Sequence, residues 1–187
     1  WRGCGPLDET IMPNSLAILS DGGFITTQFM TWDGGVESAF SGEAKGSLVT
    51  WSPGGQPTIM PGSELVAPNG IVVSEDERYI YVAAFGAGEL VRFDSAQDPI
   101  TTDSIALDIL PDNVRWGEPG KLLTAGGNVN GDGWSVIEID TASLEAVRIG
   151  GMGSDAAMQG VSSALQVGND IWVGTYSGDR IGYFTKE

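Results

Sequence analysis

Short apolar runs recur along this chain, each opened by the same kind of polar step. Pro13-Asn14-Ser15, Pro68-Asn69-Gly70 and Pro111-Asp112-Asn113 stand just before such runs, their asparagines 55 and then 44 residues apart, and Gly160-Val161-Ser162-Ser163 opens a fourth run with Ser163 50 residues beyond Asn113. A period of about 50 residues is the mark of a repeat architecture. Each unit follows one order. The first apolar stretch (Leu16 to Leu19, Ile71 to Val73, Val114 to Trp116, Ala164 to Val167) leads to a polar turn such as Asp21-Gly22-Gly23. A second stretch, mostly β-branched or aromatic, follows at Phe24 to Thr27, Tyr79 to Val82, Lys121 to Thr124 and Ile171 to Gly174. A third alternates in and out: Ser47 to Trp51, Glu89 to Phe93, Ser135 to Ile139, Arg180 to Phe184. A weaker outer strand such as Gln56 to Met60 closes the unit, and no segment keeps helical periodicity over three turns.

Three or four antiparallel strands repeated at this interval predict an all-β chain, a β-propeller of four-stranded antiparallel blades. The units run approximately over 11–62, 63–106, 107–157 and 158–187, as one partial propeller domain. The last unit stops after its third strand at Glu187. An unpaired sheet edge of that kind favours a larger ring, of which about four blades are present, over a closed ring of four.

Composition supports the turns. The 28 glycines and 9 prolines among 187 residues are about a fifth of the chain, against an average of roughly 12%. An apolar content of 41% still supplies a core. Charge changes the list of partners: 25 acidic against 9 basic residues leave a net charge of -16, a surface expected to repel nucleic acid and anionic membrane. Small neutral solutes and divalent cations remain. The chain has no histidine, which excludes a Ser-His-Asp triad or a histidine zinc site built from these residues alone. Cys4 stands alone, so it forms no disulfide within the chain and reads as a small buried hydrophobe. No apolar run approaches the roughly 18 residues of a membrane span, and no basic-then-apolar leader is present in these residues.

The string from Pro68 to Asp76, with Tyr79-Ile80-Tyr81-Val82 and Leu90-Val91-Arg92-Phe93-Asp94 after it, resembles the blade motif of the gluconolactonase (regucalcin), paraoxonase and strictosidine-synthase-like six-bladed propellers. The resemblance extends over nearly the whole chain, through Pro13-Asn14, Pro111-Asp112-Asn113 and Gly160 to Ser163, in the order of the last four blades of six. It implies a metal-dependent hydrolase of a lactone or related ester, with a divalent cation, calcium foremost, held in the central tunnel by Asn14, Asn69, Asp112 and Asn113. Amide oxygens with a carboxylate suit a hard cation, and blade starts converge on the axis, so residues far apart in sequence can share one ion. The family's usual acidic ligand belongs to a first blade that, with the second, is expected to lie outside this sequence; a second chain or a further segment is then expected to complete the ring. Ser15 stands where paraoxonase-type chains carry an aspartate for a second, structural calcium, which argues against that ion. A condensing enzyme like strictosidine synthase is disfavoured by the joint presence of Asn14, Asn69 and Asp112. The general base is not identified by these residues.

Alternatives stay open. Asn69-Gly70 is also the commonest hairpin turn pair, and a non-catalytic propeller that binds a ligand or protein partner is the competing function, since fold does not decide function. Asn128 to Gly133 copies the first half of an EF-hand loop, but Ile139 occupies the position that needs a bidentate glutamate, so a turn is expected there. The insertion from Gly34 to Gly46 reads as a mobile surface loop or as a lid over the tunnel mouth. The tryptophans read mostly as core between blades, with Trp116 a candidate to line the tunnel.

Overall fold

A computed structural model describes residues 7, 9–32, 35–43, 45–154 and 158–186; Cys4 lies outside them. The chain forms four antiparallel sheets in sequence order. The first contains β1 (Ile11–Ile18), β2 (Phe24–Thr31), β3 (Lys45–Trp51) and β4 (Thr58–Ile59), with β5 (Leu65–Val66) also paired to β3. The second is β6 (Pro68–Val73), β7 (Tyr79–Ala84), β8 (Glu89–Asp94) and β9 (Thr101–Ala106). The third is β10 (Ile109–Trp116), β11 (Lys121–Asn128), β12 (Gly133–Asp140) and β13 (Ala146–Gly153), and the fourth has three strands, β14 (Val161–Val167), β15 (Asp170–Thr175) and β16 (Gly182–Thr185). These are four blades of a β-propeller. The described residues include one turn of α-helix, α1 (Glu37–Phe40), inside the insertion, and one 3-10 turn at Phe85–Ala87. No helix among them is long and apolar enough to cross a membrane.

Strand periodicity explains how the blades stack. Successive side chains of a strand point to opposite faces, so a sheet held between two others needs apolar residues at both parities. On β7, Ile80 and Val82 join Ile25 and Leu48 of the first sheet, whereas Tyr81 turns to Val114, Leu122 and Ile139 of the third. On β11, Leu122 faces the second sheet, while Leu123 and Ala125 pack with Val161, Ala164 and Ile171 of the fourth. Each fully buried aliphatic side chain contributes about 1.5–3 kcal/mol relative to exposure. The end sheets leave apolar side chains exposed on their outer sides. Leu16 and Ile18 stay exposed on the first, and Leu165, Val167, Trp172 and Tyr183 on the fourth, where Trp172 and Tyr183 stack with centroids 4.9 Å apart.

Among the described tryptophans only Trp134 is buried, which corrects their reading as core. Trp116 lies at the far end of β10 from the Asp112 step, edge-on to Tyr81 at 5.8 Å, and packs the second blade against the third rather than lining the axis.

The innermost strand of every blade breaks register at the same phase. The ladder skips between Pro13 and Leu16, Pro68 and Ile71, Pro111 and Val114, and Val161 and Ser163. Proline has no N–H to give a ladder and is tolerated at such bulges. Asn69-Gly70 is therefore a bulge inside β6, not a hairpin turn. Buried threonine hydroxyls hold the displaced carbonyls: Thr27 Oγ1 donates to the Asn69 carbonyl at 2.7 Å, Thr26 Oγ1 to that of Ser15 at 2.8 Å, and Thr124 Oγ1 to that of Asn113 at 2.9 Å. Two neighbouring bulges also touch. A Cβ on Gly70 would press on Val114 N and lie 2.7 Å from both Asn113 Cα and the Asp112 carbonyl oxygen. Gly70→Ala should therefore cost about 1–3 kcal/mol, the range for overpacking, read as a lowered denaturation midpoint; an unchanged midpoint would show that the blades do not need this close approach.

Candidate functional site

The bulges deliver their side chains to a cavity of about 320 Å³. Asn69 and Asp112 supply its polar side chains; the apolar side chains come from Phe29, Phe85, Leu110 and Val161, with Val36, Phe40 and Tyr176 at its exposed margin. Residues from all four blades thus meet in one space. A larger cleft of about 600 Å³ lies between β13 and β16, but it contains none of the bulge residues, and its lysine, Lys186, is paired with Glu138 and Glu118.

Asn69 is 6% exposed, and its Oδ1 is buried with no hydrogen-bond partner among the described residues. Buried polar atoms of this kind are rare, and leaving one unsatisfied costs about 1–3 kcal/mol. Its side chain hydrogen-bonds the Asp112 carboxyl, which is half-buried; burial pushes that carboxyl up to about 6, against the lowering effect of Asn69. No cationic side chain among the described residues contributes to that balance. Asn113 Nδ2 donates to Asp112 Oδ1 at 3.2 Å and to the Ser162 carbonyl at 3.1 Å, tying the third bulge to the fourth. Asn69, Asp112 and Asn113 are therefore brought together. Asn14 occupies the equivalent bulge of β1 but is exposed and does not line the cavity.

Two amide-bearing residues and one uncompensated carboxyl form an oxygen-rich, electrically negative spot, the donor chemistry that hard divalent cations take. The orphaned Asn69 Oδ1 fits such an ion. No cluster of three or more carboxylate, histidine or cysteine side chains suited to a metal occurs among the described residues. The loop from Asn128 to Gly133 satisfies its own groups instead. Asn128 Nδ2 and Asn130 Nδ2 donate to Asp132 at 2.7 and 2.9 Å, and Ser135 Oγ donates to Asn128 Oδ1 at 2.6 Å.

The insertion is placed beside this cavity. Phe40, on α1, meets the Phe85 ring edge-on at 5.3 Å, and Phe29 lies 6.0 Å from Phe85. The aromatic lining was not anticipated from the residues, although its phase is regular. In the ladders Pro13 pairs with Gln28, Pro68 with Ala84, Pro111 with Gly126 and Val161 with Thr175. The next residue in each case, Phe29, Phe85, Gly127 and Tyr176, lines the cavity. Comparing the end of the second strand across units would have found them.

No protein-family profile and no curated protein matches the chain. Solved structures do. A luciferin-regenerating enzyme matches with a TM-score of 0.64 at 19% identity, over 88% of this chain and 54% of its own. A putative 6-phosphogluconolactonase from Bacteroides uniformis matches with 0.62 at 11%, over 95% and 51%. The periplasmic gluconolactonase of Pseudomonas aeruginosa matches with 0.62 at 11%, over 94% and 50%. The chain spans about half the length of each. At such identities the likeness is one of fold, that of a β-propeller among whose solved examples are proteins named as gluconolactonases.

The raised carboxyl of Asp112 gives a pH signature in chelator-treated protein. The folded state holds this proton more tightly than the unfolded chain, so the stabilisation is full below the ordinary value of 3.8 and is lost as pH rises to about 6. Melting temperatures of the wild type should therefore fall relative to Asp112→Asn between about pH 4 and 7; parallel curves for the two proteins would remove the burial argument.

Proposed function

We propose that this chain belongs to a metal-dependent hydrolase of a lactone or related ester, with Asn69 and Asp112 as oxygen donors to a divalent cation, calcium foremost, at the base of the axial cavity. The observation that carries the reading is the buried Asn69 Oδ1, without a hydrogen-bond partner among the described residues, beside a carboxyl that no cationic side chain among them neutralises. Asn113 holds Asp112 in place from the next position along the bulge, and Asn14 is the corresponding donor proposed from the first blade. A propeller fold shared with proteins named as gluconolactonases supports the same direction.

The chemistry divides between the chain and the ion. A bound divalent cation would supply Lewis-acid polarisation of an ester carbonyl. The chain's own residues orient the substrate and exclude water: the aromatic side chains enclose an apolar body, and the Asn69 and Asp112 oxygens present their polarity at one end. The exposed apolar faces of the first and fourth sheets are the surfaces on which further blades, from the same polypeptide or from a second chain, would pack.

Lactone hydrolysis by the whole protein should be abolished by chelation, restored by calcium, and lowered at least about a hundredfold by Asn69→Ala or Asp112→Ala, the scale on which loss of a transition-state charge stabiliser is felt. Turnover that persists unchanged through chelation and in both variants would reject the metal role.

A further inference from the structure

The residue of each second strand that faces the bulge varies between blades. The ladders place Thr27 opposite Asn14-Ser15, Ala83 opposite Asn69-Gly70, Ala125 opposite Asp112-Asn113 and Gly174 opposite Ser163. Thr27 alone of these carries a hydroxyl. At the preceding position, Thr26 and Thr124 donate to bulge carbonyls of their own blades, whereas the second blade has Val82 there and the fourth Val173. The second blade therefore offers its bulge no hydroxyl at either position, although that bulge carries Asn69, the more deeply buried of the two polar side chains in the cavity.

The first blade supplies what is missing. Thr27 is 0% exposed, and its Oγ1 accepts the Ser15 N–H at 3.0 Å and donates to the Asn69 carbonyl at 2.7 Å. A hydroxyl has one proton to give. The other acceptor in range, the Ser15 carbonyl, lies at 3.4 Å and already takes the Thr26 hydroxyl at 2.8 Å, so the Thr27 proton goes to Asn69. On the other side, Gly70 presses on Asp112, Asn113 and Val114 of the third blade with no room for a Cβ. The Asn69 peptide is thus fixed from both neighbouring blades. Its Oδ1 has no hydrogen-bond partner among the described residues, so apart from the contact with Asp112 the side chain is aimed by its backbone.

We propose that Thr27 is a positioning residue of the axial site: its hydroxyl reaches across the blade boundary to hold the Asn69 carbonyl, and so sets the direction in which Asn69 Oδ1 is presented to a cation. This rests on the reading of Asn69 as an oxygen donor. Thr27 acts through Asn69 and contributes no ligand of its own. Its hydroxyl also links the Ser15 N–H to the Asn69 carbonyl, which makes the first and second bulges one hydrogen-bonded unit. Valine at 27 would match the shape of threonine and leave a buried carbonyl unpaired.

Calorimetric titration of the whole protein with calcium tests this role. Thr27→Val should weaken calcium binding at least about tenfold, and Thr27→Ser, which keeps the donor, should stay within about threefold of wild type. In an Asn69→Ala background, the same Thr27→Val change should cost less than about twofold, because the residue through which it acts is gone. A metal-free measurement separates this inference from the cation reading. In chelator-treated protein, the side-chain amide protons of Asn69 should exchange with water at least about tenfold faster in Thr27→Val than in wild type or Thr27→Ser. Unchanged exchange in Thr27→Val, or an equal loss of calcium affinity in both backgrounds, would overturn the proposal. Where calcium binding is too weak to measure, amide exchange alone decides, and its absence from the wild type rejects the cation reading without touching the positioning role. Should Thr27→Val not fold, Thr27→Cys, with its weak S–H donor, takes its place under the same criteria.

Discussion

The register break at the start of each innermost strand is the constraint on which the rest of this structure depends. A regular ladder would send the polar residues of the Pro-Asn and Pro-Asp-Asn steps alternately into the two inter-blade cores, where an unpaired amide or carboxyl is costly. The bulge instead lifts them out of the ladder and toward the axis. Threonine hydroxyls of the adjoining second strands then hold the freed carbonyls, and Gly70 lets two neighbouring bulges come close enough for Asn69 to reach Asp112. Folding and site construction thus use the same residues.

This placement explains the electrostatics of the cavity. Asp112 loses water by sitting between two inner strands, and the groups that replace it are amides, which lower its proton affinity less than burial raises it. On a chain with 25 acidic and 9 basic residues, most cations are already engaged in pairs well away from the axis, such as Arg78 with Asp94 and Lys121 with Asp140. The Asp112 carboxyl is left without a cationic partner among the described residues.

Much of the fold is legible in the residues because both-face burial writes itself into strand composition. Tyr79-Ile80-Tyr81-Val82 reads as a strand and is one, since its two parities face two different cores. The Asn69-Gly70 pair is harder: turn and bulge use the same residues, and only the partner strand distinguishes them. The exposed tryptophans mislead for a related reason. Trp172 has the parity of a core residue, but its face of the fourth sheet meets no neighbour among the described residues. The aromatic collar is hidden because Phe85 and Tyr176 sit just past the ends of their strands and Phe29 near the end of β2, where a single unit shows no pattern and only superposing the units reveals one.

Gly127 bears on a problem that repeat proteins share. Blades related by rotation present the same contacts at every azimuth, so a perfectly repeated pocket offers a ligand several equivalent poses and no reason to choose. One absent side chain ends that degeneracy. It converts a radially uniform opening into an uneven one, with aromatic rings on three sides and bare backbone on the fourth. The least substantial residue in the lining is thus the one that breaks its symmetry.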